Sequence, residues 1–248
     1  MKNFLKPTAT LFLSLGVMHS NASFAGAADY VYTPNVEEGE FEIDFKYGTS
    51  GRTDTSPDQK QNVTSLGFGY GVSEKWFSEL YLKSEKENGK PAQNVLEFEN
   101  KFQLTQTGQY PIDIGLITEL ELPSNGEDPS EFKVGPLFQI NSGKMQYNAN
   151  LLFEAKFGGN NPAANEVVGQ YQLQAKYRLK KALEFGVQGF GEVGAWDKWL
   201  PASQQSHKVG PALFGKIGNI KYNTAYLFGL TKATENGTAR LQLEYEFK

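Results

Sequence analysis

The chain contains no cysteine, which excludes a disulfide framework, a thiolate metal centre and the lipid attachment of a lipoprotein. Histidine is almost as scarce, at two copies, and His207 is the only one past the first twenty-odd positions. No apolar run approaches the roughly 20 residues that a membrane-spanning helix needs. A large charge of either sign is lacking too: the formal net charge is −4, which gives no support to nucleic-acid binding. Mean hydropathy is negative, at −0.47, as in a water-soluble protein. That average is uninformative for a transmembrane β-barrel, in which only every second residue of each strand meets lipid.

Aromatic residues make up 13% of the 248 residues, and their placement is informative. From Thr238 to Lys248 the chain alternates without a fault: Ala239, Leu241, Leu243, Tyr245 and Phe247 share one face, and Arg240, Gln242, Glu244, Glu246 and Lys248 the other. This stretch resembles the C-terminal assembly signal of bacterial outer-membrane β-barrels, a last strand ending on an aromatic, although here Lys248 follows Phe247. The resemblance implies an outer-membrane location in a Gram-negative bacterium. It also implies two partners, outer-membrane lipid and the barrel-assembly machinery, the latter met through this strand.

The amino end reads as a secretory signal over residues 1–27. Lys2 and Lys6 are its basic start, Leu11 to Met18 its apolar centre, and Ala25-Gly26-Ala27 an A-x-A cleavage site, so the mature chain is expected to begin near Ala28. Residues 28–39 alternate poorly and contain Pro34; they read as a periplasmic lead-in, with a plug inside the barrel as the other possibility. The barrel is expected over residues 40–248.

Along it, alternating segments recur, among them Glu40 to Tyr47, Val95 to Leu104, Met145 to Phe157, Val167 to Leu179 and Ile220 to Leu230, separated by alternately long and short polar connections. The count is about twelve, each near the roughly 9 to 11 residues that cross a bilayer with tilt. The expected fold is therefore all-β: an up-and-down antiparallel transmembrane barrel of about twelve strands, with both termini periplasmic. A soluble sandwich would not show such regular loop asymmetry.

An internal repeat accompanies the strands. Lys133-Val134-Gly135-Pro136 recurs as Lys208-Val209-Gly210-Pro211, and Tyr147-Asn148 as Tyr222-Asn223, both 75 positions on. The prolines remove a ladder donor in mid-strand and suggest a bulge in each copy.

If the aromatic parity faces lipid, the other parity lines the interior. Closure places Glu244 and Glu246 beside Asp44 and Glu42, and at the opposite mouth Glu97 and Glu99 face Glu119 and Glu121. Lys133, Lys156, Lys176, Arg178 and Lys208 stand on later strands, which suggests an acidic wall opposed to a basic one. Asn148, Asn150, Gln170, Gln172 and Gln174 offer an amide surface that donates and accepts. Inward glycines at 67, 69 and 71 suggest free space. Such a lining fits a narrow porin-like channel for small polar or charged solutes. A filled structural barrel whose charges pair across the interior stays open as the alternative.

Neither a metal-ligand cluster nor a phosphate-cradling loop is present, so no cofactor and no metal is expected. Twelve-stranded outer-membrane phospholipases carry a serine two residues after their histidine. Here Val209 holds that place after His207, so a lipid-acting enzyme is not the expected reading and no catalytic residue is assigned. The hairpin Gly69-Tyr70-Gly71-Val72-Ser73-Glu74-Lys75-Trp76 resembles that of exported barrels grouped with the phenol-degradation (MetA-pathway) family of proteobacteria. That likeness implies uptake of a small, possibly aromatic compound.

Overall fold

The computed structural model describes residues 26–51, 60–160 and 166–247. Apart from Gly26 and Ala27, the expected signal segment lies outside the described residues. Thirteen strands are formed: β1 (Phe41–Ser50), β2 (Gln61–Ser73), β3 (Trp76–Glu87), β4 (Gln93–Gln103), β5 (Asp113–Pro123), β6 (Ser130–Ser142), β7 (Met145–Phe157), β8 (Val167–Lys180), β9 (Leu183–Ala195), β10 (Lys198–Trp199), β11 (Ser206–Ile217), β12 (Ile220–Gly229) and β13 (Gly237–Phe247). Every pairing is with a sequence neighbour, except that β1 pairs with β13 and β9 pairs with β11 beyond the two-residue β10. Twelve strands thus close on themselves, all antiparallel, and β10 only extends the edge of β9. Closure removes the exposed edge that an open sheet would present.

The two ends of the barrel differ. At one, tight turns join β2 to β3, β6 to β7, β8 to β9 and β11 to β12, and both described chain ends of the barrel, Phe41 and Phe247, pair there. The connection from Leu104 to Ile112 also stands at this turn end, and its length departs from the expected alternation. The opposite, loop end carries the longer connections.

Period-two alternation sorts the side chains into two environments. Outward positions are apolar and exposed: Leu66, Leu80, Phe98, Leu151, Leu173 and Leu243 stand in the middle of the wall. Ring pairs mark its rims, with Phe41–Phe247, Trp76–Phe102 and Tyr177–Phe185 toward the turn end and Tyr226–Phe228 toward the loop end. Most inward positions are polar yet buried, among them Asp44, Glu99, Asn150 and Gln188, with apolar exceptions such as Ile117, Leu137 and Phe190. This is an inside-out distribution, apolar outside and polar inside, as lipid-facing barrels require.

The internal repeat is structural. Gly143 and Gly218, 75 positions apart, both take positive φ (57° and 61°) in their turns. Gly135 packs against the Leu151 carbonyl, and Gly210 in the same way against that of Tyr226. The expected bulges are absent, however. Ladder pairing lapses at Gly135-Pro136 and Gly210-Pro211, but the register is the same on both sides of each lapse. Proline removes a donor; glycine lets the neighbouring strand close in without an inserted residue. A β-carbon at either glycine would overlap a backbone carbonyl, so Gly135→Val and Gly210→Val are each expected to abolish the heat-modifiable folded band on gels. Normal folding of both would show that the close approach is dispensable.

Candidate functional site

The interior is crossed by the chain's own lead-in. Residues 27–38 run through the barrel from the loop end, where Ala27 lies against Gly48, to the turn end, where the Glu37 carbonyl lies against Gly71. Pro34 packs on Gly115 between them. These three inward glycines leave room for a strand-width of backbone. The lead-in is therefore inside the wall, the plug position that the sequence left open. The space expected at Gly67 is also taken, by the ring of Tyr81.

Polar side chains from several strands converge on the segment. Asn150 on β7 donates through Nδ2 to the Tyr32 carbonyl (3.1 Å) and to Gln172 Oε1 (2.9 Å), and that same Oε1 on β8 accepts the Tyr32 N–H at 3.2 Å. The Tyr32 hydroxyl donates to Glu119 (2.5 Å) and that of Tyr30 to Glu99 (3.1 Å). Nearer the turn end, Gln103 accepts the Val36 N–H at 2.8 Å. Apolar contacts alternate with these bonds. Val31 packs with Phe190, Ala212, Phe214, Ala225 and Leu227, while Tyr32 packs with Ile117, Leu137 and Leu152.

Every candidate lining residue sits on the inner parity. Glu42 pairs with Glu246 and Asp44 with Glu244, and Glu97 pairs with Glu121 and Glu99 with Glu119, the juxtapositions expected from closure. The opposed acidic and basic walls do not form. Cations instead interleave with acids on the same or nearby strands: Lys83 reaches Glu121 at 2.8 Å, Glu85 at 3.2 Å and Glu97 at 3.3 Å, and Lys133 reaches Glu119 at 2.7 Å. Lys156 pairs with Glu131 and Lys176 with Glu184, both at 2.8 Å. Near the turn end, Lys216 and Lys221 hold Glu246, and Lys221 also holds Glu244. Local pairing wins because a charge in this buried setting needs its counter-charge within hydrogen-bond reach.

The amides form a relay of their own. Arg178 donates to Gln146, which reaches Gln139 and Asn148; Gln174 bonds Asn148, Gln188 bonds Gln174, and Arg240 bonds Gln188. Gln170 donates to Glu154. Lys208 lies over the Phe190 ring.

Several residues at the centre of this arrangement were not among the lining candidates read from the sequence: Lys46, Glu79, Tyr81, Lys83, Tyr30 and Tyr32. Lys46 sits over the Tyr30 and Tyr81 rings, at 3.9 and 3.6 Å, and the Tyr81 hydroxyl lies within hydrogen-bond distance of both Asp44 and Glu79. The parity of β3, set by outward Trp76, was the signal that could have found Glu79, Tyr81 and Lys83.

Two groups of three carboxylates, Glu97 with Glu99 and Glu119, and Glu40 with Glu244 and Glu246, are close enough to share a cation. Lysines and tyrosine hydroxyls already stand at those oxygens, so the groups are bonded within the protein. A cavity of about 20 Å³ between Tyr30, Lys46, Lys83, Glu97 and Glu119 has room for about one water molecule. On the outside, both His207 ring nitrogens are engaged, with Tyr171 and Gln205, whereas Ser206 points inward and is buried.

No protein-family model matches the sequence, and no curated protein is significantly similar to it. The fold, in contrast, matches solved porins. A structure described as "KdgM porin in complex with disordered oligogalacturonate" superposes with a TM-score of 0.58 at 11% identity, covering 84% of this chain and 99% of that one. The NanC porin gives 0.56 at 12% identity with the same coverage. At such identities the likeness is one of fold, that of a closed antiparallel β-barrel.

Proposed function

We propose that this protein is an outer-membrane β-barrel whose lumen serves as a narrow porin-like channel for small polar or charged solutes, shut when the lead-in is seated. The observation that carries the reading is the bore itself. The interior is lined with polar groups and two apolar clusters around one extended segment, so the space that segment occupies is about 5 Å by about 10 Å across, the section of a single strand with its side chains. A small hydrated solute fits that section; a folded domain does not. The apolar outer wall with its aromatic rims supports insertion in the outer membrane, with lipid and the assembly machinery as partners. The fold shared with porins supports transport over catalysis.

Planar-bilayer recording tests this. The full chain should stay mostly closed, and a chain lacking residues 28–38 should pass small ions in discrete steps. Changing Glu97, Glu99, Glu119 and Glu121 together to Gln in that open form should lower its preference for cations, since Lys83 and Lys133 then dominate the lining. A truncated barrel that migrates as folded yet never conducts would identify a filled structural barrel instead.

A further inference from the structure

We infer that the lumen is a peptide-binding site, one that takes an extended peptide with an aliphatic residue followed by tyrosine, supplied in trans as well as by the chain's own lead-in. The proposal rests on the channel reading only in that the lead-in must be able to leave.

A group that merely fills a pore needs no backbone recognition, but this one receives it. Asn150 and Gln172 together satisfy the N–H and the C=O of one residue, Tyr32, and Gln103 accepts the N–H of Val36. This is how an added strand is recognised: main-chain bonds for affinity, and recesses for alternate side chains for selectivity. The recesses are present. Successive side chains of an extended segment point opposite ways, and Val31 and Tyr32 enter different apolar clusters. Those clusters come from equivalent positions of the internal repeat: Leu137 and Leu152 flank Tyr32, and their counterparts 75 positions on, Ala212 and Leu227, flank Val31. The smaller Ala212 widens the recess that takes the aliphatic residue. Glu119 and Glu99 then select for a terminal hydroxyl through the Tyr32 and Tyr30 bonds. Asn150, fully buried, also keeps its Oδ1 without a hydrogen-bond partner, which leaves an acceptor for one further donor on a ligand.

With the cleavage expected near Ala28, the seated segment is tethered at one end only. Gly39, at φ 75°, starts the turn into β1, and its N–H bonds the Gly71 carbonyl. A short tether gives an effective concentration of about millimolar, so a free peptide competes with the lead-in in that range.

The absence of cysteine makes the test direct. In full-length Val31→Cys protein, a water-soluble maleimide should react slowly while the segment is seated. A synthetic peptide of residues 28–38, added at about its millimolar effective concentration, should release about half of the segments and raise the labelling rate by roughly tenfold or more. The same peptide in scrambled order should not. Asn150→Ala with Gln172→Ala should raise the basal rate by about tenfold, the effect of losing about 1.4 kcal/mol of seating. If native and scrambled peptides act alike, the site does not exist, whatever the bilayer recordings give. If the native peptide acts but the chain lacking residues 28–38 never conducts, the site stands and the channel reading falls.

Discussion

Replacing Leu151 with Arg is expected to abolish assembly: the unheated outer-membrane fraction should lose its fast-migrating folded band. Leu151 is midway along β7, on the outer face and 52% exposed, with Ala149, Phe153 and Leu173 among its outward neighbours. At the bilayer midplane an outward Arg costs about 2 to 4 kcal/mol, falling to about 0 to 1 kcal/mol at the interface. Since about 1.4 kcal/mol is tenfold in an equilibrium, the midplane penalty is a factor of roughly 30 to 1,000. Tyr47, near the loop-end rim of β1, provides the control at another depth, and Tyr47→Arg should assemble almost normally. Leu151→Ala keeps the position apolar and should also assemble. Equal tolerance of Arg at both depths would mean that this belt does not sit in hydrocarbon.

The outer face was legible because lipid imposes the same requirement at every second position. β1, β4 and β13 alternate cleanly, and counting parity through them was enough to bring Glu42 to Glu246 and to set Glu97 and Glu99 against Glu119 and Glu121, though not to pair the latter one to one. The end of β3 was harder. Lys83, Ser84, Glu85 and Lys86 are polar at both parities as the strand leaves the apolar zone, so nothing local marks Lys83 as the inward one. Pro136 and Pro211 announced a missing hydrogen bond but not its consequence, because a missing donor and an inserted residue leave the same mark on a sequence.

The lead-in was the least legible part of the site. Its partners Gln103, Glu119, Asn150 and Gln172 lie on four strands far away in the chain. Recognition by converging side chains needs no periodicity in the recognised segment, so Ala28 to Glu38 read as irregular. Pro34 reinforced that reading. The inward glycines were a true signal of space, but space at a glycine is available to any neighbour, and it was taken by Tyr81 and by backbone from the lead-in.

Lys83→Met should be the most damaging single change inside the barrel, lowering unfolding stability by about 3 to 5 kcal/mol, the usual cost of removing one partner from a buried ion pair. The lysine is about 10% exposed and holds three carboxylates. Two of them, Glu97 and Glu121, are directly opposed on β4 and β5, so removing the cation leaves like charges facing each other. Adding Glu97→Gln and Glu121→Gln to Lys83→Met should restore most of the loss, since replacing a whole buried charge group is close to neutral whereas breaking it is not. Denaturant titration in lipid vesicles measures both variants through the linear dependence of stability on denaturant. The result also bears on function. A loss below about 1 kcal/mol is what a solvated pair gives; it would mean that water already fills the lumen around Lys83 and that the lead-in spends much of its time elsewhere.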